Sequence, residues 1–369
     1  MDYKVRFVGF PRQYHNLKEE LDAAFESIMS RGQFIMRQEM EDFEEEIAKY
    51  VGVKHALGVN SGTDALHLSA LAAGLKRGDE AITVSHTFVA TISAIVNTGA
   101  TPILVDIADD YNMDVDLLEK AITSKTKAIF PVHLNGHMCE MDRIMELAEE
   151  HDLIVIEDAA QALGAEFKGK KAASYGLTGM FSFYPAKILG AAGDGGMVCT
   201  NDDKFATKIR ALRDKGRIDD VRVINCYGFC SRLDNLHAAL LNVKFRHFPR
   251  WIKRRREIAE MYDKGLAGLD GLIPHPRSDT RFFDVYQNYV IRSDRRDELY
   301  EYLKSSGVET LVSWWVPTHK QKALNLGHFK LPKTEQISNE VLSLPMYPEL
   351  TDEQIKYVIQ QIHKFYKKR

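Results

Sequence analysis

Lys187 stands where a lysine has little reason to be. It follows an aromatic run, FSFY, and a proline, and it precedes the glycine-rich stretch GAAGDGG and another apolar segment. No solvated helix face is there to take its charge, and lysine is rarely buried without a reason. A partly desolvated lysine has a depressed pKa, so its amine can act as a nucleophile toward an aldehyde. Upstream, Asp158 follows Glu157 at the end of the apolar run LIVI. A carboxylate at a buried strand end needs a cationic or donor partner. A protonated ring nitrogen is one such partner; a helix cap or a structural ion pair is another. A third place is VNSGTDALHL, residues 59–68. There a strand is expected to end at Asn60 and a helix to start at about Thr63. Ser61, Gly62 and Thr63 would sit at a helix N-terminus, whose amides and dipole attract an anion such as phosphate. Gly62 would let a ligand approach the backbone, and the Thr63 hydroxyl adds a donor. Simple capping by Thr63 or Asp64 accounts for the same turn without any ligand. Taken together, an anion cradle, a carboxylate and a lysine, each at a strand end, are the parts that pyridoxal 5'-phosphate needs. AGDGG does not match GxGxxG and no helical period follows it. Gly193, Gly195 and Gly196 therefore read as a tight turn behind Lys187.

These residues must be held by a scaffold, and its outline is legible. Gln13 to Tyr50 reads as two amphipathic helices, with Leu17, Leu21, Phe25 and Ile28 on one face of the first. Short apolar strands then alternate with helices from HALGVN to LIVIEDAA. Such alternation implies βαβ crossovers, and the near-continuous apolar strands imply helices on both faces of a mostly parallel sheet. Open sheets of this kind place ligands at the carboxyl ends of their strands, where all three features fall. The pattern changes after about Leu240. A charged helix, a proline-containing stretch, the strand YQNYVIR, the helix RDELYEYLKSSG, the segment VSWWVP and a final helix read as a smaller α/β domain. The boundary is expected near Lys244–Trp251, giving a large domain over 1–245 and a small one over 246–369. Trp314 and Trp315 would point to opposite faces of an extended strand, so at most one lines a pocket.

Composition bounds the function. The 369 residues carry 49 Lys+Arg against 52 Asp+Glu, a net charge of -3, which argues against a nucleic-acid partner. The KRRR run reads as the solvated face of a helix. No apolar run reaches the ~20 residues that span a bilayer, and the first residues do not form a secretion signal. The four cysteines, Cys139, Cys199, Cys226 and Cys230, form no CxxC pair and read as reduced thiols of a cytoplasmic protein. His133, His137 and Cys139 have HxxxH spacing but lack the glutamate of HExxH and a second ligand cluster, so no metal site is expected.

At this point the chain resembles the DegT/StrS-type aminotransferases, pyridoxal-phosphate enzymes of fold type I that act on sugars. RQYHNLKEELDAAF, GQFI, EDFEEEIAKYVGVKHALGVNSGTDALHLSALAAG, SHTFVAT, PILVDI, PVHLNG, IEDAAQALGA, FSFYPAKILGAAGDGGMVCTND, GFCSRLDNLHAALL and LSLPMYPELTDEQIKYVI carry the likeness. It implies that Lys187 bonds to the cofactor aldehyde and then shuttles the proton. It implies that Asp158 pairs with the ring nitrogen, Gln161 lies at the ring-hydroxyl side and Phe88 stacks on the ring. Gly62, Thr63, Asp64 and Ser182 would hold the phosphate. Arg232 would reach across a homodimer interface to substrate or donor carboxylate, with active sites shared between subunits. Some relatives carry His in place of Lys187 and act as dehydratases; the lysine here implies amino transfer.

The chain departs from that family's pattern at several places. Asn135 replaces a common Tyr, Cys230 an Asn, and Arg37-Gln38 the usual GP. Ser313-Trp314 replaces HY in a late pocket segment, and Gln287 replaces a frequent His. All are expected to bear on substrate rather than on Lys187 or Asp158, and Arg232, Trp314 and Asn135 are the candidate substrate residues. The expected reaction converts a nucleotide-linked keto sugar, 3-keto rather than 4-keto, to an amino sugar with an amino acid donor such as glutamate. A keto-cyclitol aminotransferase is the nearest alternative, followed by a non-catalytic regulator of the same fold. A nicotinamide dehydrogenase would need glycines that the NSGTD turn lacks.

Overall fold

Each helix of the N-terminal segment ends where its sequence stops helping it. Phe10–Asn16 (α1) starts with a proline in its first turn, and Lys18–Arg31 (α2) and Gln38–Val51 (α3) stop at Gly32 and Gly52, both left-handed. Three helices thus stand where two were expected. The computed structural model describes residues 3–218, 222–276 and 278–367.

The central sheet has seven strands in the order β1 (His55–Val59), β9 (Gly196–Thr200), β8 (Thr178–Ser182), β5 (Ile154–Asp158), β4 (Thr126–Ile129), β2 (Glu80–Val84) and β3 (Thr101–Val105). From β8 to β3 every neighbouring pair is parallel, while β9 runs antiparallel to both β8 and β1. The reversal has a simple cause. Parallel neighbours need a crossover of a dozen or more residues, generally helical, and the lysine loop between β8 and β9 contains no helix. One face of the sheet is covered by α4 (Gly62–Ala72), α5 (Val89–Val96) and α8 (Asp203–Arg213), with Leu66, Ile95 and Ile209 against Leu57, Ile156 and Val198. The other face packs on α3, α7 (Met141–Glu150) and the first half of α9 (Asn235–Leu266), through Phe43, Ile47, Ile144 and Phe248. Helix α6 (Val115–Ala121) flanks β3.

Gly196 fits this sheet to the start of α4. A Cβ there would lie 2.4 Å from the carbonyl carbon and oxygen of Ser61. Backbone cannot yield as a flexible side chain would. Gly196→Ala is therefore expected to cost about 1–3 kcal/mol in denaturant unfolding and to loosen whatever the α4 N-terminus binds.

The second unit is built on the antiparallel sheet β10 (Leu272–Ile273), β12 (Tyr289–Ser293) and β13 (Val341–Leu344), covered by α10 (Arg296–Ser305) and α12 (Asp352–Lys367). Pro332–Glu340 (α11) leads into β13, and a small sheet of β11 (Phe282–Phe283), β6 (Glu166–Phe167) and β7 (Lys170–Lys171) ties the second unit back to the first. Two expectations about organisation change. The expected boundary falls inside one 32-residue helix, α9 (Asn235–Leu266), whose second half packs Ile258, Tyr262 and Leu266 into the second core. The N-terminus also joins that core: Val5 is buried in it, its amide donates to the Gly307 carbonyl, and its own carbonyl accepts from the Glu309 amide. Among the described residues no helix is long and apolar enough to cross a membrane.

Candidate active site

The α4 N-terminus is capped by Ser61, not by Thr63 or Asp64: its hydroxyl accepts from the Asp64 amide at 3.0 Å. The Asp64 carboxylate in turn accepts from the Ser231 hydroxyl at 2.6 Å. Gly62 is buried, and a Cβ on it would meet Ser182 Cβ at 2.8 Å and Oγ at 3.2 Å. The absent side chain is what brings the Ser182 hydroxyl beside the first-turn amides of an 11-residue helix. A hydroxyl beside unpaired helix amides suits a phosphate dianion.

Asp158 ends β5 and is 5% exposed. Its Oδ1 accepts from the Ala160 amide at 3.1 Å and its Oδ2 from the Thr91 hydroxyl at 2.7 Å. Thr91 is itself bonded to Thr87 at 2.8 Å. No lysine, arginine or histidine of the described residues forms an ion pair with Asp158. Two neutral donors fix its orientation and leave acceptor capacity for one cationic N–H, which fits a protonated pyridine nitrogen.

Lys187 sits in the loop after β8. Its amide donates to the Tyr184 carbonyl at 2.8 Å, the Ala191 amide to the Phe183 carbonyl at 2.8 Å, and the Lys244 ammonium to the Gly190 carbonyl at 2.6 Å. Desolvation lowers the Lys187 amine to about 8, with the Asp158 carboxylate acting in the opposite sense. The sign follows directly. The free amine loses its proton near pH 8 instead of 10.5, so between those values it is mostly neutral and nucleophilic where an ordinary lysine is still protonated. In cofactor-free protein, acylation of Lys187 against pH is expected to inflect near 8; an inflection near 10.5 would contradict the buried setting.

Phe88 stands at the N-cap of α5 and is 62% exposed, a large apolar residue left mostly open. The Gln161 side-chain oxygen accepts from the Asn135 amide at 2.8 Å, so its NH2 group is aimed elsewhere. The chain thus brings together Gly62, Asp64 and Ser182 at the helix start, and Asp158 and Lys187 at the ends of adjacent strands.

The three candidate substrate residues are not equivalent. Asn135 is buried at φ 58°, and its side-chain oxygen accepts from the Asn288 amide group at 3.1 Å. Its backbone amide braces Gln161, and its side-chain oxygen holds Asn288. Arg232 donates to Asp214 at 2.9 Å and to the Cys230 sulfur at 3.3 Å. Within one chain it is turned to Asp214. Trp314 is not on a strand but in a turn at φ 56°, edge-on to His86 with ring centroids 5.0 Å apart. Trp315 points away, onto Tyr300 and the Arg296 guanidinium. His133 is spent on the buried Glu157 at 3.1 Å, and His137 on Asp284 at 2.8 Å.

Sequence reasoning missed Thr91, Ser231 and Gln287. Thr91 was within reach, since it lies one helical turn beyond Phe88 in HTFVAT and so shares its face. Ser231 precedes Arg232 and carried no signal of its own. Gln287 was read as a substrate position, whereas its side chain bonds to the peptides on either side of Lys187.

The profile of the DegT/DnrJ/EryC1/StrS aminotransferase family matches residues 15–363. A pleiotropic regulatory protein of Geobacillus stearothermophilus is 42% identical over 98% of this chain and 99% of its own. A dTDP-3-amino-3,4,6-trideoxy-alpha-D-glucose transaminase of Streptomyces venezuelae is 40% identical over 98% of this chain and 96% of its own. The crystal structure of S. venezuelae DesV in complex with a ketimine intermediate superposes with a TM-score of 0.95 at 40% identity, covering 98% of both chains.

Proposed function

Because the chain belongs to the DegT/DnrJ/EryC1/StrS aminotransferase family and is a pyridoxal-phosphate-dependent sugar aminotransferase, we propose that it transfers the amino group of an amino acid such as glutamate to carbon 3 of a nucleotide-linked keto sugar. The observation that carries this reading is a desolvated lysine beside a buried carboxylate that has no ion-pair partner among the described residues. The name of the S. venezuelae transaminase supports carbon 3.

When bound, pyridoxal phosphate supplies an electron sink that lets a proton leave the carbon bearing the nitrogen. The chain supplies the rest. Asp158, oriented by Thr91 and the Ala160 amide, would hold a proton on the ring nitrogen and so keep the sink electron-poor. The α4 amides and Ser182 would anchor the phosphate, Phe88 would cover one ring face, and Gln161 would meet the ring hydroxyl. The Lys187 amine would hold the cofactor aldehyde and, when free, would accept and return the proton at its Nζ, a role that its lowered pKa of about 8 suits. The donor's 2-oxo acid leaves before the keto sugar enters, so one site serves both half-reactions.

A homodimer completes the site in this reading, with Arg232 serving the neighbouring subunit. Phe10, Tyr14, Phe25 and Phe34 are exposed along α1, α2 and the following turn, and Ile224 and Tyr227 project from the loop before Arg232. Such a set of exposed apolar side chains suits a subunit interface. Light scattering is expected to give twice the 42.0 kDa chain mass. Free Cys139 and Cys199, both buried, suit a reducing cytoplasm.

The 42% identical regulatory protein favours a second reading, a regulator of the same fold. Intact Lys187 and Asp158 favour catalysis. The test is a panel of dTDP- and UDP-linked 3-keto and 4-keto sugars and a keto-inositol, with glutamate as donor. Turnover of the 3-keto nucleotide sugars is expected. Turnover of the cyclitol alone would replace the substrate, and no turnover of any by cofactor-loaded protein would favour the regulator.

A further inference from the structure

We propose that Gln287 is a positioning residue for the reaction: its carboxamide clamps the two peptide groups that flank Lys187. Its Nε2 donates to the Ala186 carbonyl at 2.9 Å, and its Oε1 accepts from the Ile188 amide at 2.9 Å. A backbone N–H can only donate and a carbonyl can only accept, so the orientation of the amide is fixed by its partners. Lys187 lies between the two contacts, and its own amide is tied to Tyr184. The backbone from which the reactive amine extends is therefore held on both sides.

The clamp is itself held. Gln287 and Arg255 are both buried, and the Arg255 guanidinium donates to the carbonyls of Tyr286 at 2.9 Å and Gln287 at 3.3 Å. The Val285 amide donates to the Gly136 carbonyl at 3.1 Å. Gly136 has φ +91°, and a Cβ there would lie 2.8 Å from the amide nitrogens of both Tyr286 and Gln287. Segment 285–288 thus threads between helix α9, the loop at Asn135–Gly136 and the lysine loop. It joins the start of β12, in the second unit, to the reactive lysine of the first. The fit is specific to Gln. A carboxamide offers a donor and an acceptor at one end of the side chain. A neutral imidazole carries them on opposite sides of the ring and cannot span both peptides in this way. A carboxylate offers acceptors only, which would face the Ala186 carbonyl without a proton between them.

The inference rests on the reading that Lys187 holds the cofactor, and it is tested on the holoenzyme with Gln287→Met and Gln287→Glu. Met keeps the length and loses both hydrogen bonds. Glu keeps the shape and, when ionised, loses one bond and places a negative charge against the peptides that flank Lys187. Two readouts are taken: the glutamate half-reaction, and the pH midpoint of the bound cofactor's visible band. A displacement of about 1 Å at a reacting group costs on the order of 100-fold. Gln287→Met is therefore expected to slow the half-reaction about 10- to 100-fold with the glutamate KM within about threefold. Gln287→Glu is expected to raise the pH midpoint above that of both wild type and Gln287→Met, because a nearby anion favours the protonated form. A merely structural role would not move that midpoint. Wild-type rates and midpoints in both variants would overturn the clamp. The attachment reading fails separately, if the visible band of wild type survives in Lys187→Ala.

Discussion

A Lys187→Ala variant is expected to purify colourless and to transfer amino groups at least about 10⁴-fold more slowly than wild type in single-turnover measurements. One side chain serves two roles in this account. It is the attachment point, and it is the base that moves the proton. Removing it loses both, and among the described residues no other lysine forms an ion pair with Asp158 to take over. The fold is expected to survive. The Lys187 amine is lowered to about 8 by burial, so at neutral pH the native state carries an unfavourable desolvated charge. Because the unfolded chain binds that proton more tightly than the native one, cofactor-free wild type gains stability between about pH 8 and 10.5. The alanine variant lacks that rise. Its melting temperature at pH 7 is expected to equal or exceed that of cofactor-free wild type, and a large drop would show that Lys187 is a structural residue.

The second large effect is at Asp158. Asp158→Asn keeps the size and loses the charge. The amide oxygen can still accept from the Ala160 amide, and its NH2 can donate to the Thr91 hydroxyl, whose own proton then turns to the Phe88 carbonyl, so the side chain stays in place. The variant should still show the Lys187-dependent visible band, since attachment needs only the amine. The half-reaction should fall by about 10²–10³-fold, the usual loss when one preorganised electrostatic contact is removed. The band's presence with a slow half-reaction separates this outcome from misfolding. A variant that turns over at the wild-type rate would mean that the ring nitrogen is not served by Asp158.

Most of the large unit was legible because its signals are local. Apolar strands of about five residues followed by amphipathic helices specify crossovers, and crossovers specify parallel pairing. What escaped depended on distant parts of the chain. The lysine loop has no helix, so β9 had to return antiparallel, and that in turn set β1 against it. The join between units was placed inside α9 because the composition becomes charged at KRRR. Charge marks neither a helix end nor, here, a wholly solvated face: Arg255 of that run is buried against the Tyr286 and Gln287 carbonyls, and α9 runs through to Leu266. Val5 joins the second core by bridging to Val308, a pairing no local pattern announces.

The site divides in the same way. Gly62, Asp158 and Lys187 each sit at a strand end with an unusual local context, so sequence could single them out. Ser61 rather than Thr63 caps α4 because the helix begins one residue earlier than its period suggests. Asn135 and Gln287 were assigned to substrate because they break a family pattern. Their buried side chains instead bond to Asn288 and to the lysine loop, so the break bears on the machinery as well. The position of a departure along the chain says nothing of which loop folds against it.

Borohydride reduction of the yellow holoenzyme, followed by peptide mass spectrometry, tests the central assignment most directly. The pyridoxyl group is expected on the single peptide that contains Lys187, at near-unit occupancy. A pyridoxyl group on any other lysine, with the side chain of Lys187 unmodified, would contradict the assignment and with it the roles given to Asp158 and Gln287.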